Sequence, residues 1–250
     1  HAAENSYSFI CINAIGGIEI RKDVVETKLP GQPAQRTPLG GNNPQQTLLW
    51  DFTQRFETVS SDQKAARFAQ GLYGYFTFDA VQFFETIQFQ KNRDKSNQIP
   101  FARYRLYQYV IAINHYRDEL ILLENKVAGV ESEGEVVESL INSKDVPVFP
   151  FKTASAESSN MEDEDFRQMV KKGIASCHRG DVFQIVLSRR FQQKFSGDEF
   201  NVYRALRNIN PSPYLFFFDY GDYKLVGSSP EAQLIIRNGK AIIHPIAGTF

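Results

Sequence analysis

Three short segments in the second half of the chain carry side chains that could take part in chemistry. The first is 181–190, DVFQIVLSRR, in which Gln184 lies within a largely apolar stretch. Because the side chains of a strand alternate between two faces, Gln184 would share a face with Val186 and Ser188. A buried glutamine needs a hydrogen-bond partner, so Gln184 either bonds a neighbouring backbone group or has a functional role.

The second segment is 210–217, NPSPYLFF, which places two prolines just before an aromatic stretch. The prolines favour a rigid, extended lead into a strand. Tyr214 then offers an aromatic face and one hydroxyl group. A plain connection between a helix and a strand is the simpler interpretation, and a binding role is the alternative.

The third segment pairs GSSPE at 227–231 with HPIAGT at 244–249. Gly227 and Gly248 would let the backbone approach a ligand closely. Thr249 supplies a hydroxyl group, and the neighbouring N–H groups could receive a carboxylate. Two turns at strand ends would explain the same pattern without a ligand.

The elements predicted around these segments indicate a fold of both helices and strands. Acidic residues at 162–165 and Gly180 predict a helix between them, capped by Ser159 or Asn160, and 198–208 predicts a second helix. Strands are predicted at 182–191, 214–220, 223–227, 232–237 and 240–245. No helix separates the last four strands, so the class is α+β, with largely antiparallel sheets packed as a β-sandwich with flanking helices.

The first half predicts a similar mixture of elements. Residues 7–20 are interpreted as two short strands around a turn at Gly16 and Gly17, 28–47 as a loop, and 48–59 as a helix. Further predictions are a short helix at 62–70, a hairpin at 99–124 that turns near Arg117 and Asp118, and an acidic helix at 131–142. The polar stretch that follows suggests two domains, 1–150 and 151–250.

Composition excludes several classes of protein. The 28 basic and 29 acidic residues nearly cancel, which argues against a nucleic-acid protein and a polybasic membrane clamp. No apolar run approaches the roughly 18 residues of a membrane span. Cys11 and Cys177 are interpreted as reduced thiols of a cytoplasmic protein, and His115 and His178 as surface or capping residues.

Together, the three segments resemble the chorismate-utilising enzymes, and within them the anthranilate synthase component I group. The order and spacing of the matching stretches agree with that family. The first half resembles its N-terminal domain more loosely, through 7–20 and 71–85. The resemblance therefore implies an N-terminal domain over 1–150 and the beginning of a chorismate-binding domain over 151–250.

Two positions separate the members of this family. The position of Gln184 is a lysine that activates water in isochorismate- and salicylate-forming relatives, and a glutamine cannot take that proton. The position of Ala247 is often a nucleophilic lysine in aminodeoxychorismate synthases, and an alanine cannot attack. The resemblance thus favours a lyase that makes anthranilate and pyruvate from chorismate and ammonia, for tryptophan biosynthesis.

The resemblance also implies the site residues and partners. Gln184 and Thr249 would be catalytic, and Ala247, Gly248 and Thr249 would bind chorismate. Mg²⁺ would bind a chorismate carboxylate, with ligands expected after Phe250 and none within this chain. A glutamine amidotransferase subunit would deliver ammonia.

Feedback inhibition by L-tryptophan is a further implication. The family's effector site matches Pro213, Tyr214 and Leu215, and Ser8 matches a residue on its rim. The L-L-E-S motif that completes the site in relatives would precede Tyr7 and is absent. The metal-binding glutamates, the catalytic histidine and the chorismate-binding arginine of relatives would all follow Phe250, so the resemblance implies an incomplete, inactive portion of the enzyme. The alternatives are aminodeoxychorismate synthase component I of the folate pathway, or a non-catalytic tryptophan-binding regulatory module.

Overall fold

A computed structural model describes residues 6–39, 45–59, 65–87, 89, 99–232, 234–237 and 239–244. The chain divides into two compact units, His1–Lys144 and Asp145–Phe250. Among the residues described, no helix is both long enough and apolar enough to cross a membrane. The domain identities assigned to 1–150 and 151–250 stay predictions.

The described residues of the first unit form one six-stranded antiparallel sheet. Its strands are β1 (Tyr7–Ile20), β2 (Val24–Lys28), β3 (Gln35–Pro38), β4 (Tyr73–Phe76), β5 (Ala102–Asn114) and β6 (Glu119–Glu124). They lie in the order β3-β2-β1-β5-β4, and β6 pairs with the second half of β5. Short 3₁₀ turns lie at Gln45–Thr47 and Phe78–Phe83. The helices are α1 (Leu48–Thr53), α2 (Ala66–Ala69) and α3 (Gly134–Asn142).

The core of this unit consists of two apolar clusters. Ile18, Ile20 and Val25 pack with Phe52 of α1, which is 2% exposed. Tyr109 and Ile111 of β5 pack with Val137 of α3 in the second cluster. The two long central strands therefore support both clusters, and each cluster is covered by a short helix.

Strand β1 corrects the prediction of two strands around a glycine turn. It runs unbroken against β5, with one register shift between Ala14 and Gly16 that marks a β-bulge. Gly17 faces the neighbouring strand so closely that a Cβ atom would lie 2.3 Å from the carbonyl oxygen of Tyr104. The glycine therefore serves close strand packing, not a chain reversal.

The other predictions for this unit had mixed outcomes. The hairpin over 99–124 is confirmed by the pairing of β5 with β6. The helix predicted near 62–70 is confirmed over Ala66–Ala69, while 62–64 lie outside the described residues, and the helix predicted near 131–142 is confirmed over Gly134–Asn142. The helix predicted over 48–59 ends at Thr53, and the predicted loop at 28–47 contains β3.

The second unit consists of pairs of short strands and two helices. In chain order, its elements are β7 (Phe151–Thr153), β8 (Ser158–Ser159), α4 (Asp163–Arg179), β9 (Phe191–Gln192), β10 (Phe195–Gly197), α5 (Phe200–Ile209), β11 (Tyr214–Asp219), β12 (Lys224–Ser229), β13 (Ile235–Arg237) and β14 (Lys240–Ile242). Within the described part of this unit, the strands form antiparallel pairs: β7 with β10, β8 with β9, β11 with β12, and β13 with β14. The α+β class with antiparallel sheets is confirmed, and the sandwich arrangement stays a prediction.

Helix α4 confirms one predicted end and corrects the other. Gly180 has a φ of 78°, and the N–H groups of Gly180 and Asp181 donate to the carbonyls of Cys177 and Ser176, which is the Schellman ending that a glycine favours. At the start, the capping position is Glu162, not Ser159 or Asn160. The side chains of Ser159 and Asn160 instead accept hydrogen bonds from the segment that ends in β9.

The strand predicted over 182–191 is wrong for 182–190, which belong to no strand. Only Phe191 at the end of that range belongs to a strand. The segment passes α4 instead, where side chains of Ile185 and Leu187 approach Gly173. Alternating polarity indicates that a segment has one polar and one apolar face. A strand also needs a neighbouring strand whose backbone groups form hydrogen bonds with it.

Candidate functional site

The hairpin of β11 and β12 brings two of the predicted segments together. Tyr214 pairs with Ser229, and Leu215 pairs with Ser228. The Ser228 hydroxyl donates a 2.9 Å hydrogen bond to the carbonyl oxygen of Asn210, just before the two prolines. Residues 210–215 and 227–231 are therefore one continuous surface at the end of a hairpin.

A close aromatic packing explains Gly227 in this hairpin. A Cβ atom at Gly227 would lie 2.2 Å from Cζ of Phe216, because the phenyl ring lies across the glycine on the paired strand. In the structure, the space beside Gly227 is occupied by this ring. The glycine thus allows the hairpin to close around the ring.

Helix α5 anchors the hairpin from one side. The rings of Phe200 and Tyr203 lie 5.1 Å and 6.1 Å from the ring of Phe217. Lys224 bonds Glu199 at the start of the helix, and this hydrogen bond raises the pKa of Lys224 and lowers the pKa of Glu199. Ring packing at Phe217 therefore holds the middle of the hairpin, and the ion pair of Lys224 holds its turn end.

Gln184 lines a second feature, a groove between α4 and the 181–190 segment. The groove encloses about 380 Å³, and Ile174 and Leu187 contribute apolar walls. Cys177 and His178 of α4 lie in the same groove as Gln184. The sequence analysis did not place His178 beside Gln184, because it interpreted His178 only as a surface or helix-end residue. The short distance in sequence between Gly180, which ends α4, and Gln184 could have indicated that the two residues lie close together.

Arg189 fixes the far end of this segment against the start of α4. Its guanidinium donates to the Ser159 hydroxyl at 2.7 Å, to an Asp163 carboxylate oxygen at 2.6 Å and to the Met161 carbonyl at 2.9 Å. Its neighbour Arg190 exchanges two hydrogen bonds with Asn160. The segment that carries Gln184 is thus tied to α4 at both ends.

This clamp predicts a specific dependence of stability on pH. The hydrogen bond and the charge of Arg189 hold the pKa of Asp163 below its usual range. A carboxylate with a lowered folded-state pKa stabilises the fold above its ordinary pKa of about 3.9, and stops doing so as the pH falls through the lowered value. As the pH falls from about 5 through the lowered pKa of Asp163, the Asp163→Asn variant should therefore lose less stability than the unmodified chain.

Thermal unfolding followed by circular dichroism at several pH values would measure this difference. Asp165→Asn is the matched control, because it removes a carboxylate from the same helical turn without touching the Arg189 clamp. The control should follow the pH dependence of the unmodified chain. Parallel curves for Asp163→Asn and the unmodified chain would contradict the role of the clamp.

The remaining predicted site residues fall in three places. Ser8 lies in β1 of the first unit, where it is exposed and its hydroxyl lies 2.7 Å from Nε2 of His115. In the second unit, Pro213 and Tyr214 are exposed and Leu215 is half-buried. Ala247, Gly248 and Thr249 lie outside the described residues, so their roles stay predictions.

Comparison with known proteins decides the family. A family model described as chorismate binding enzyme matches residues 21–250, which is most of the chain. The chain belongs to the chorismate-binding enzyme family. The matched region includes the Gln184 groove and the β11–β12 hairpin, together with most of the six-stranded sheet.

Individual members of this family confirm the resemblance to anthranilate synthase component I. Anthranilate synthase component 1 of Aquifex aeolicus is 34% identical over 266 residues, which cover 97% of this chain and 50% of that protein. The Lactococcus lactis protein of the same name is 32% identical, over 73% of this chain and 41% of its own length. The chain thus spans about half the length of the relatives it matches.

A solved structure supports the fold. The crystal structure of anthranilate synthase component I from Streptococcus pneumoniae superposes on this chain with a TM-score of 0.68. The superposition includes 96% of this chain and 54% of the Streptococcus pneumoniae chain. The sequence identity of that pair is 23%, so this comparison carries the fold alone. The chain therefore shares the fold of that protein over most of its length.

Proposed function

We propose that the complete protein is an anthranilate synthase component I. It would convert chorismate and ammonia to anthranilate, pyruvate and water. The ammonia nitrogen bonds to a ring carbon, the ring hydroxyl leaves as water, and the enolpyruvyl group leaves and becomes pyruvate. The observation that carries this proposal is the 34% identity to the Aquifex aeolicus component over 97% of the chain.

Two residues of this chain favour ammonia as the nucleophile. The Gln184 side chain is a neutral amide, so it cannot take a proton from water as a lysine amine can. Ala247 has no atom that could attack the ring. With both competing reactions removed, Gln184 and Thr249 are proposed to serve the ammonia reaction, and the backbone at 247–249 to bind chorismate.

Magnesium and an amidotransferase subunit complete the proposal. Mg²⁺ would supply Lewis acidity at a chorismate carboxylate. Among the described residues, no group of three or more His, Cys, Asp or Glu side chains could hold a metal ion, so the side chains described do not by themselves fit that site. The partner would deliver ammonia from glutamine, sheltered from water and from protonation. A cytoplasmic location is proposed from the sequence argument about the two thiols.

Feedback inhibition by L-tryptophan belongs to the same proposal. Pro213 and Tyr214 are exposed at the open end of the β11–β12 hairpin, where Tyr214 pairs with Ser229. Ser8 offers an exposed hydroxyl on β1. An aromatic amino acid is a suitable ligand for an exposed tyrosine ring and a hydroxyl group.

Mass spectrometric identification of the product tests the reaction. The complete protein is incubated with chorismate, Mg²⁺ and ammonium, and residues 1–250 alone serve as the control. Anthranilate and pyruvate are expected from the complete protein, with no turnover by residues 1–250. Aminodeoxychorismate or isochorismate as the sole product would show that Gln184 and Ala247 do not select the reaction as proposed.

A further inference from the structure

Gln184 lies in a segment that is not part of a sheet. Within the described part of the second unit, residues 182–190 belong to no strand. The side chains of Ile185 and Leu187 approach Gly173 of α4 and give the segment an apolar contact. Because a strand is held in place by its ladder of backbone hydrogen bonds, a segment outside a strand depends on other contacts for its position.

The ion pairs at the two ends of this segment differ in burial. At the start, Arg179 contacts Asp181 at 2.6 Å, and the two side chains are 62% and 52% exposed. At the far end, Arg189 contacts Asp163 at the same distance of 2.6 Å. Asp163 is 70% exposed, but the Arg189 side chain is only 16% exposed. Exposed ion pairs contribute little because water and salt screen them, so the position of the segment depends chiefly on Arg189.

The Arg189 guanidinium has a separate acceptor for each of its three nitrogen atoms. Nε donates to the Ser159 hydroxyl at 2.7 Å, Nη1 to an Asp163 carboxylate oxygen at 2.6 Å, and Nη2 to the Met161 carbonyl at 2.9 Å. The guanidinium carbon also lies 4.7 Å from the centre of the Phe191 ring. A planar group with three acceptors and a ring beside it has one orientation, which the single nitrogen of a lysine cannot reproduce.

Helix α4 connects this clamp to the groove that Gln184 lines. Arg189 bonds Asp163, the first residue of α4, while Gln184 shares its groove with His178 in the last turn of the same helix. Only a short stretch of chain separates Gln184 from Arg189. A displacement of Arg189 along the helix would therefore displace Gln184 within the groove.

We propose that Arg189 is a positioning residue for Gln184. It holds the 181–190 segment at the place along α4 where the Gln184 amide meets the ammonia that attacks chorismate. The amide oxygen accepts a hydrogen bond from ammonia, and the nitrogen lone pair stays available for the ring carbon. This inference rests on the proposed ammonia reaction, and it adds the residue that places Gln184. The three hydrogen bonds and the low exposure of Arg189 carry it.

The KM for ammonium separates positioning from a loss of folded protein. In the complete protein, Arg189→Ala should raise the KM for ammonium in anthranilate formation about tenfold and leave the KM for chorismate unchanged, because only the group that orients ammonia has moved. A preparation with less folded enzyme would have a lower kcat and unchanged KM values. Arg167→Ala is the matched control, since Arg167 is an exposed arginine of α4 whose partner Glu164 lies in the same helix. Its constants should equal those of the unmodified protein.

Three further variants test how Arg189 acts. Arg189→Lys keeps the charge but loses the planar fork, so most of the rise in the KM for ammonium should remain. Gln184→Ala should raise this constant by itself, and adding Arg189→Ala should change it by less than about twofold, because a positioning residue acts only through the residue it places. Ser159→Ala removes one acceptor and should raise the constant by less than Arg189→Ala does, so it gives an answer even where Arg189→Ala does not fold.

Other outcomes contradict the inference. An unchanged KM for ammonium in Arg189→Ala, or an equal rise in the KM for chorismate, would exclude an action through Gln184. Full activity of Arg189→Lys would show that the charge suffices without the fork. Additive effects of Arg189→Ala and Gln184→Ala would show that the two residues act independently. Absence of anthranilate from the unmodified protein would instead refute the proposed function, and this inference with it.

Discussion

Replacing Glu19 by alanine is expected to lower the free energy of unfolding of the first unit by about 3 to 5 kcal/mol. The Glu19 side chain is only 8% exposed, yet it lies among three arginines. Arg21 and Arg103 contact its two carboxylate oxygens at 2.7 Å and 3.0 Å, and Arg105 lies 3.5 Å away. The variant would leave cationic side chains that are 12% and 20% exposed, those of Arg103 and Arg105, without their shared anion.

Glu19 lies in a central strand of the sheet, so the loss of stability in Glu19→Ala is expected to arise there. Glu19 pairs with Arg103 on one side and with Glu26 on the other, so its carboxylate joins β1 to β5 directly. Desolvated charges cost several kcal/mol when they lose their partner, whereas solvated charges lose little. The partners of Glu19 are largely desolvated, so the large value applies here.

Urea unfolding followed by the fluorescence of Trp50 would measure the effect. Trp50 is the chain's single tryptophan and lies in α1, so its signal reports on the first unit. Glu26→Ala is the matched control on the neighbouring strand, because its partner Arg36 is 77% exposed, and it should cost no more than about 1 kcal/mol. Similar losses for Glu19→Ala and Glu26→Ala would contradict the argument.

The second large effect is expected for Gly74→Ala, which should destabilise the first unit by about 3 kcal/mol. A Cβ atom at Gly74 would lie 2.0 Å from the Arg103 carbonyl oxygen and 2.6 Å from the Tyr104 Cα atom. Both of these are backbone atoms of β5, so no rotation of a side chain can relieve the overlap. Strand β4, which has four residues, would have to separate from β5.

Gly71 supplies a matched control three residues earlier. A Cβ atom there would meet nothing within 4 Å, so Gly71→Ala should leave stability nearly unchanged. The same urea titration compares the two variants, and amide hydrogen exchange at 102–105 would report whether β5 loses its partner. Equal stability of Gly74→Ala and Gly71→Ala would show that the two strands are not in close contact.

Elements with signals of their own could be predicted from the sequence. The hairpin predicted at 99–124 corresponds to β5 and β6, and the strands predicted at 214–220 and 223–227 correspond to β11 and β12. Acidic residues before an amphipathic stretch, followed by Gly180, predicted α4. These signals are local, since a turn or a helix end is decided by the backbone preferences of a few consecutive residues.

Elements that depend on a distant partner could not be predicted in the same way. The 182–190 segment has the alternation of a strand but passes a helix, and Gly17 resembles a turn residue but lies against β5. Glu19 alternates with two isoleucines in the sequence, but its three arginine partners come from distant places: Arg21 follows β1, and Arg103 and Arg105 lie in β5. Burial and register across a sheet arise only when the strands assemble.

The same distinction between local and long-range signals applies to the candidate site. The sequence alone determined the family, because the order and spacing of motifs are properties of the chain itself, and the match to residues 21–250 confirms it. Only the tertiary structure decided that Ser228 bonds the Asn210 carbonyl, that Arg189 bonds Asp163, and that Ser8 meets His115. Those contacts join residues 18, 26 and 107 positions apart, and such distances are closed by strand register and helix packing, which no local pattern encodes.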